Sequence, residues 1–494
     1  DRRTRSPLHS AMARKAPTGF RERLPAWLLV LVSLQPLLGC AAQSPGAQPP
    51  TPDPPAARPL GRGMNFGNAL EAPNEGDWGV TLREEFAEAV AGAGFATVRL
   101  PVKWSAHAAA TAPYALDPAF LARVDEVVGW LIGRGLNVIL DFHHYDELFV
   151  DPQAHTERWL AIWRQLAEHY RDAPDLLLFE LLNEPNGALD AATWNDLAAR
   201  GLAAVRESNP TRRVVIGPAN YNAIGSLADL SWPDDANLVV TVHFYHPFAF
   251  THQGAEWATP VPPVGVPWTG ESLGPRAGFA DWSWGTERGY DRQLTLTFTG
   301  GWTGYYLHAD QPVGGFDRLA LATSRAVELL VSCSDGESSV AVTTRAGEVE
   351  EVPFPACGAT GGATTGVVIQ NGTPDAQPPF VLEALELRGA GGALPLLVSE
   401  AEAVGAWFDI VAAWAEAHGG PPVLIGEFGA NRKADMASRV RWTRAVREAA
   451  EARGFAWAYW ELAAEFAAYD AARGAWHEEL LDALTGPPHA EPPP

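Results

Sequence analysis

Only three cysteines occur in 494 residues, so this is no disulfide-dense scaffold, and stability has to come from a buried apolar core. Basic charge is scarce too: 36 Lys and Arg stand against 59 Asp and Glu, a net charge of −23. That deficit argues against nucleic acid and anionic membrane surfaces as partners and favours a neutral substrate. Apolar runs long enough to span a bilayer are missing as well. The longest, "AWLLVLVSLQPLLGC" (26–40), is short and poorly flanked for a membrane span. What remains is a chain with 47% hydrophobic residues and a mean hydropathy of −0.08, rich in Trp at 19 residues. Such a composition suits a soluble protein with a large core, whose indoles either fill that core or stack on flat ligand faces such as sugars.

The short apolar run follows Met12, Arg14, Lys15, Arg21 and Arg23, the layout of an export signal over residues 1–40 that starts at Met12. Its end, "LLGC" (Leu37–Cys40), resembles a bacterial lipobox, which implies membrane anchoring through a lipidated Cys40. The expected location is then an outer-membrane or cell-surface lipoprotein. The plainer alternative is a periplasmic or secreted protein in which Cys40 is incidental. Residues 41–60 are rich in Pro and Ala without periodicity and read as an extended tether. Cys333 and Cys357 remain, and in an exported protein they are expected to pair.

From residue 62 short apolar strands alternate with amphipathic helices. The strand candidates are "GMNFGN" (63–68), "ATVRLPV" (96–102), "NVILDFHH" (137–144), "LLLFELLNE" (176–184), "RRVVIGP" (212–218), "NLVVTVHFYHP" (237–247), "PVLIGEFGA" (422–430) and "FAWAYWEL" (455–462). Eight such units with nearly continuous apolar strands predict an α/β fold, a parallel (β/α)8 TIM barrel over 61–270 and 394–486.

The sixth unit is interrupted. Residues 271–393 carry no helical period but several alternating segments, such as "QLTLTF" and "DRLALAT", between Gly-, Ser- and Asp-rich turns. A β-sandwich-like domain inserted after strand six is the expected result. Trp282, Trp284, Trp302, Tyr305 and Tyr306 form either a sugar-binding platform there or part of the sandwich core.

Reactive groups in such barrels come from the C-terminal ends of the strands. Here these ends carry Arg99, His143, His144, Asn183, Glu184, His243, Tyr245, Glu427 and Trp460. Singly, each has an ordinary structural explanation, such as an ion pair or a local hydrogen bond. Together at one mouth they point to chemistry. Two carboxylates, on strands four and seven, suit glycoside hydrolysis, in which one carboxyl protonates the leaving oxygen and the other attacks the anomeric carbon. A further glutamate, Glu180, shares the strand parity of Glu184 and reads as a supporting residue beneath the site.

The ordered set "RGMNFGNALEAP", "VRLPV", "DFHHY", "ELLNEP", "VHFYHPFAFTHQGA", "IGEFGA" and "WAYWEL" resembles the strand motifs of glycoside hydrolase family 5, retaining (β/α)8 enzymes. The resemblance covers 62–257 and about 400–470. It implies that Glu184 is the general acid/base and Glu427 the nucleophile, with Arg99 supporting Glu427. It further implies that Asn183 binds a sugar 2-hydroxyl, His143 lines the cleavage subsite and Tyr245 orients the nucleophile. His243 would touch the acid/base, and Trp460 would be the floor under the reacting sugar. His144, one residue on from His143, is expected to point away. Trp78 and Trp104 are either outer platforms or packing.

The expected activity is endo-β-1,4-glucanase action on a β-glucan polysaccharide by double displacement, in a monomer without metal or cofactor. Exo-acting β-glucosidase and β-mannanase remain alternatives, because loops set specificity. Two rivals of other classes stand beside it: a metal-dependent barrel hydrolase using His143, His144, His243 and His246, and a cell-surface glycan binder without chemistry.

Overall fold

Eight strands, apolar and buried along nearly their whole length, close into one parallel ring in chain order. They are β1 Arg62–Asn65, β2 Thr97–Val102, β3 Asn137–Phe142, β4 Leu177–Glu180, β5 Val214–Ile216, β6 Leu238–His243, β7 Val423–Phe428 and β8 Ala456–Tyr459. β8 pairs with β1 to complete the closure. The expected TIM barrel is what forms. The structure, a computed structural model, describes residues 58–333, 339–353, 363–390 and 392–487. The export signal, Cys40, nearly all of the tether and Cys357 lie outside these residues. Cys333 is disulfide-bonded. No helix among the described residues is long and apolar enough to cross a membrane.

Strand alternation sorts the side chains into two cores. Outward residues such as Val98, Leu100, Val138, Leu140, Phe179 and Val242 pack under the surrounding helices. Inward residues Ile139, Leu178, Val215, Val239 and Leu424 form a separate apolar plug. Two positions further along the same strands, the inward residues change character: Asp141, Glu180, Thr241 and Gly426. The barrel thus has an apolar floor with a buried polar layer above it, and the mouth lies beyond. Helices Pro118–Gly133, Ala191–Arg206 and Met436–Glu451 start at Asp117, Asp190 and Asp435, each of which caps the first turn with its carboxylate.

Several strands end earlier than the sequence reading placed them. β4 stops at Glu180, not 184, and β3 stops at Phe142. Glu184 adopts a left-handed backbone, φ 45°, and Pro185 has no N–H to continue a ladder, so the chain must leave the sheet there. Asn183, Glu184, His143 and His144 therefore sit on the turns after their strands.

Between β6 and the helix Glu400–Ala417, after the short helix Phe248–Thr251, the named strands among the described residues all pair antiparallel. One sheet pairs, in order, Val349–Pro353, Arg318–Thr323, Phe380–Gly389, Leu294–Phe298 and Thr286–Tyr290, with Gly392–Pro395 against Phe380–Gly389. The other pairs Val340–Thr343, Glu328–Cys333, Thr364–Asn371, Gly304–Val313 and Phe279–Asp281. Leu296, Leu307, Leu321, Val331, Ile369 and Leu385, drawn from both sheets, share one apolar cluster, as the two inner faces of a sandwich must. Leu273–Pro275 pairs with Leu397–Ser399, so the segments leading into and out of the sandwich are zipped together. Ser399 and Glu402 then form a capping box that starts the next barrel helix.

Candidate active site

Arg99, fully buried on β2, organises the mouth from below. Its Nε and Nη2 donate to Glu180 Oε2 at 2.7 Å and Oε1 at 2.9 Å. Nη1 donates to Glu427 Oε1 at 2.7 Å and Asn65 Oδ1 at 3.0 Å. Nη2 also reaches Asn183 Oδ1 at 2.8 Å and pairs with Asp141 Oδ2 at 3.0 Å. Only a guanidinium offers this fan of donors in one plane. One cation thus faces three buried carboxylates.

Glu184 and Glu427 meet across His243. His243 Nδ1 is 2.7 Å from Glu184 Oε1 and 3.6 Å from Glu427 Oε2. One carboxylate oxygen of each glutamate lies within 4.8 Å of the other. Asn222 Nδ2 lies 3.2 Å from His243 Nε2, so both ring nitrogens are engaged, one toward Asn222 and one toward Glu184. Tyr245 donates its hydroxyl to Glu427 Oε2 at 3.0 Å. Glu427 therefore receives Arg99 on one oxygen and Tyr245 on the other, and its side chain is fixed at both ends.

The floor is aromatic. Trp460 lies parallel to His143, with ring centroids 5.4 Å apart and an interplanar angle of 6°. His143 is held by Asp141 at 2.6 Å through Nδ1, and its Nε2 lies 3.4 Å from Asn183 Nδ2. A Cβ on Gly67 would stand 2.9 Å from the Trp460 ring, so this position must be glycine for the indole to lie where it does.

Electrostatics separates the two acids. Burial pushes the Glu184 carboxyl up to about 7, with Arg99 opposing and Glu180 adding to the rise. Burial also raises Glu427, but Arg99 and the Tyr245 hydroxyl pull it back. The His243 imidazole is brought down to about 4 by burial and is neutral at pH 7.

The eight residues expected at the mouth, Arg99, His143, Asn183, Glu184, His243, Tyr245, Glu427 and Trp460, form one connected set of contacts. His144 corrects the parity argument. Its ring lies 4.6 Å from His143, edge to face, because the strand ends at Phe142 and alternation no longer applies. It also touches Trp78, which is exposed, whereas Trp104 is fully buried in the barrel core. His246 stacks on Trp407. Among the described residues the one cluster able to hold a metal ion is Glu184, His243 and Glu427, without His143, His144 or His246. Asn65, Asp141 and Asn222 escaped the sequence reading. Asp141 had a signal, since it is a carboxylate inside an otherwise apolar run of its strand, two positions after inward-facing Ile139. Asn65 stands at the end of β1, again where the mouth is built. Asn222 had none; it belongs to a left-handed run, Asn220 to Asn222, after β5.

Comparison with known proteins adds a family. Residues 61–290 match the model for cellulase, glycosyl hydrolase family 5. Endoglucanase H of Acetivibrio thermocellus is 40% identical over 217 residues, 44% of this chain and 24% of that protein. Endoglucanase A of Ruminococcus albus is 31% identical over 222 residues, 40% of this chain and 61% of that protein. The chain thus spans less than two thirds of the length of these curated relatives. The crystal structure of a hyperthermophilic endo-β-1,4-glucanase in complex with substrate superposes with a TM-score of 0.60 at 31% identity, over 87% of this chain and 97% of that one.

Proposed function

The chain belongs to glycosyl hydrolase family 5, and from that premise we propose that it is a retaining endo-β-1,4-glucanase acting by double displacement. Glu427 attacks the anomeric carbon while Glu184 gives its proton to the departing glycosidic oxygen. Glu184 then takes a proton from water, which releases the sugar from Glu427 with its original configuration. The observation that carries the reading is the approach of the two carboxylates within 4.8 Å. Inverting enzymes hold theirs about 6.5 Å or more apart to admit a water.

The neighbours have matching duties. Arg99 and Tyr245 hold Glu427 by opposite oxygens and favour its anion. His243 hydrogen-bonds to Glu184 and fixes its rotamer. Asn183 stands beside the acid for a sugar hydroxyl, and Trp460 with His143 offers a flat face for the ring. The proposal extends to a neutral β-glucan as substrate, in keeping with the acidic chain, and to export with membrane tethering through Cys40, a reading supported by the export-signal pattern of residues 1–40.

The test is a panel of soluble polysaccharides with product sizing and NMR of the first-formed anomer. The expected result is rapid shortening of a β-1,4-glucan with β-configured product. An α-configured first product sinks the double-displacement mechanism, and release of single sugars without shortening sinks endo action. Glu427→Ala is expected to abolish turnover and to keep binding.

A further inference from the structure

The sandwich sorts its aromatic residues in a way the sequence left open. Tyr305 points inward and is fully buried, while Trp282, Trp284 and Trp302 are 57%, 41% and 69% exposed. We propose that the outer face of the sheet containing Gly304–Val313 binds a β-glucan chain, as a second polysaccharide site on the insert; this rests on the substrate class proposed above.

The register places these residues in rows. Trp282, Tyr306, Val368 and Ser332 lie side by side across four neighbouring segments, and Trp284, Gly304, Gln370 and Leu330 form the next row. Neither row contains a charged side chain, on a protein whose net charge is −23. Rings interleaved with a hydroxyl and an amide suit a neutral polyhydroxylated chain. Its axial C–H faces stack on the indoles while its hydroxyls meet the polar groups.

The platform is also braced. Trp282 stacks on His308, with centroids 3.8 Å apart and an angle of 11°. His308 Nδ1 in turn lies 2.8 Å from the Tyr306 hydroxyl. The Trp284 ring lies directly over Gly304, where a Cβ would come within 2.6 Å of it. Trp302 has a left-handed backbone, φ 65°, which is rare for a bulky residue. Its carbonyl accepts from Trp284 Nε1 at 2.7 Å and Gln370 Nε2 at 2.9 Å. A strained turn is therefore held in place to present an indole that packs against little of its own chain. Such strain marks function more often than folding, and rigid rings lose little freedom on binding.

The experiment uses the full chain with Glu427→Ala as background, in native gels containing hydroxyethyl cellulose or mixed-linkage β-glucan. Wild-type retention is expected to fall at least about tenfold in Trp282→Ala/Trp302→Ala. Trp302→Phe should restore most of it. With Glu427 intact, the double variant should turn over a soluble aryl cellobioside within twofold of wild type. Equal retention of the double variant overturns the platform, as does retention that a short oligosaccharide in the catalytic mouth abolishes. A shift from dimer to monomer in the double variant with retention unchanged makes the face a protein interface and likewise overturns it. Retention that depends on the tryptophans, in a wild type that cleaves no glucan, removes the proposed activity and leaves the platform standing.

Discussion

Arg99 grips Glu180 with two parallel hydrogen bonds, 2.7 and 2.9 Å long, between side chains that are both fully buried. The same guanidinium reaches Glu427 at 2.7 Å. The carboxylate at the mouth is thus joined, through one guanidinium, to a carboxylate in the layer beneath it.

Glu180→Gln removes one anion from this pair and leaves Arg99 with less compensation. Since Asp141 and Glu427 still face the guanidinium, no charge is left unpaired, and the expectation is the loss of a charge-assisted hydrogen bond, about 1.5–3 kcal/mol less stability in urea unfolding, together with lower kcat/KM. A variant within about 0.5 kcal/mol of wild type means that the pair holds nothing in place.

The pH profile follows from the two carboxyls. In the proposed acid role Glu184 donates only when protonated, so kcat/KM for an unactivated glucan should fall as pH rises through about 7. As the proposed nucleophile Glu427 attacks only as the anion, and burial raises it above the ordinary 4.5, which narrows the acid side. An aryl glycoside with a good leaving group needs no proton, so its alkaline limb should vanish. A shared alkaline limb for both substrates removes Glu184 from the acid role.

Glu184 carries a stability signature as well. Its folded value lies above the unfolded one, so it adds stability that is complete below about 4.5 and is lost as pH rises through about 7. Glu184→Gln should therefore gain on wild type by roughly 2 kcal/mol between pH 5 and 8. Parallel stability curves in urea titrations would contradict this.

Gly67→Ala tests the floor without touching a reacting group. The new Cβ would meet the Trp460 ring at 2.9 Å and push it off His143. The expected result is a drop in kcat/KM of about tenfold, carried by KM, with Tm lowered by only a few degrees, as for a loss of about 1 kcal/mol. Unchanged kinetics would show that the indole's placement is not needed.

Metal enters as a check on the mechanism. His243 uses both ring nitrogens, on Glu184 and Asn222, so its engaged donors are those a metal would need. Dialysis against a strong chelator should leave activity unchanged, and added Zn2+ should inhibit by capturing Glu184, His243 and Glu427. Activity lost to the chelator and restored by a metal ion would favour metal-assisted hydrolysis.

The sequence by itself determined the barrel and the order of its mouth. Continuous apolar strands must be buried on both faces, and polar residues at their ends have only the mouth to occupy. It also marked the insert, whose period of two excludes helices. Periodicity names a face but not a partner. The grip of Arg99 on Glu180 joins residues 81 apart, and the meeting of Glu184 with Glu427 spans β4 to β7, so both exist only once the ring has closed. Alternation also lapses where a strand ends, which is why His144 turned up beside His143. In the sandwich, only the register of distant strands decided that Tyr305 enters the core while Trp282, Trp284 and Trp302 face water.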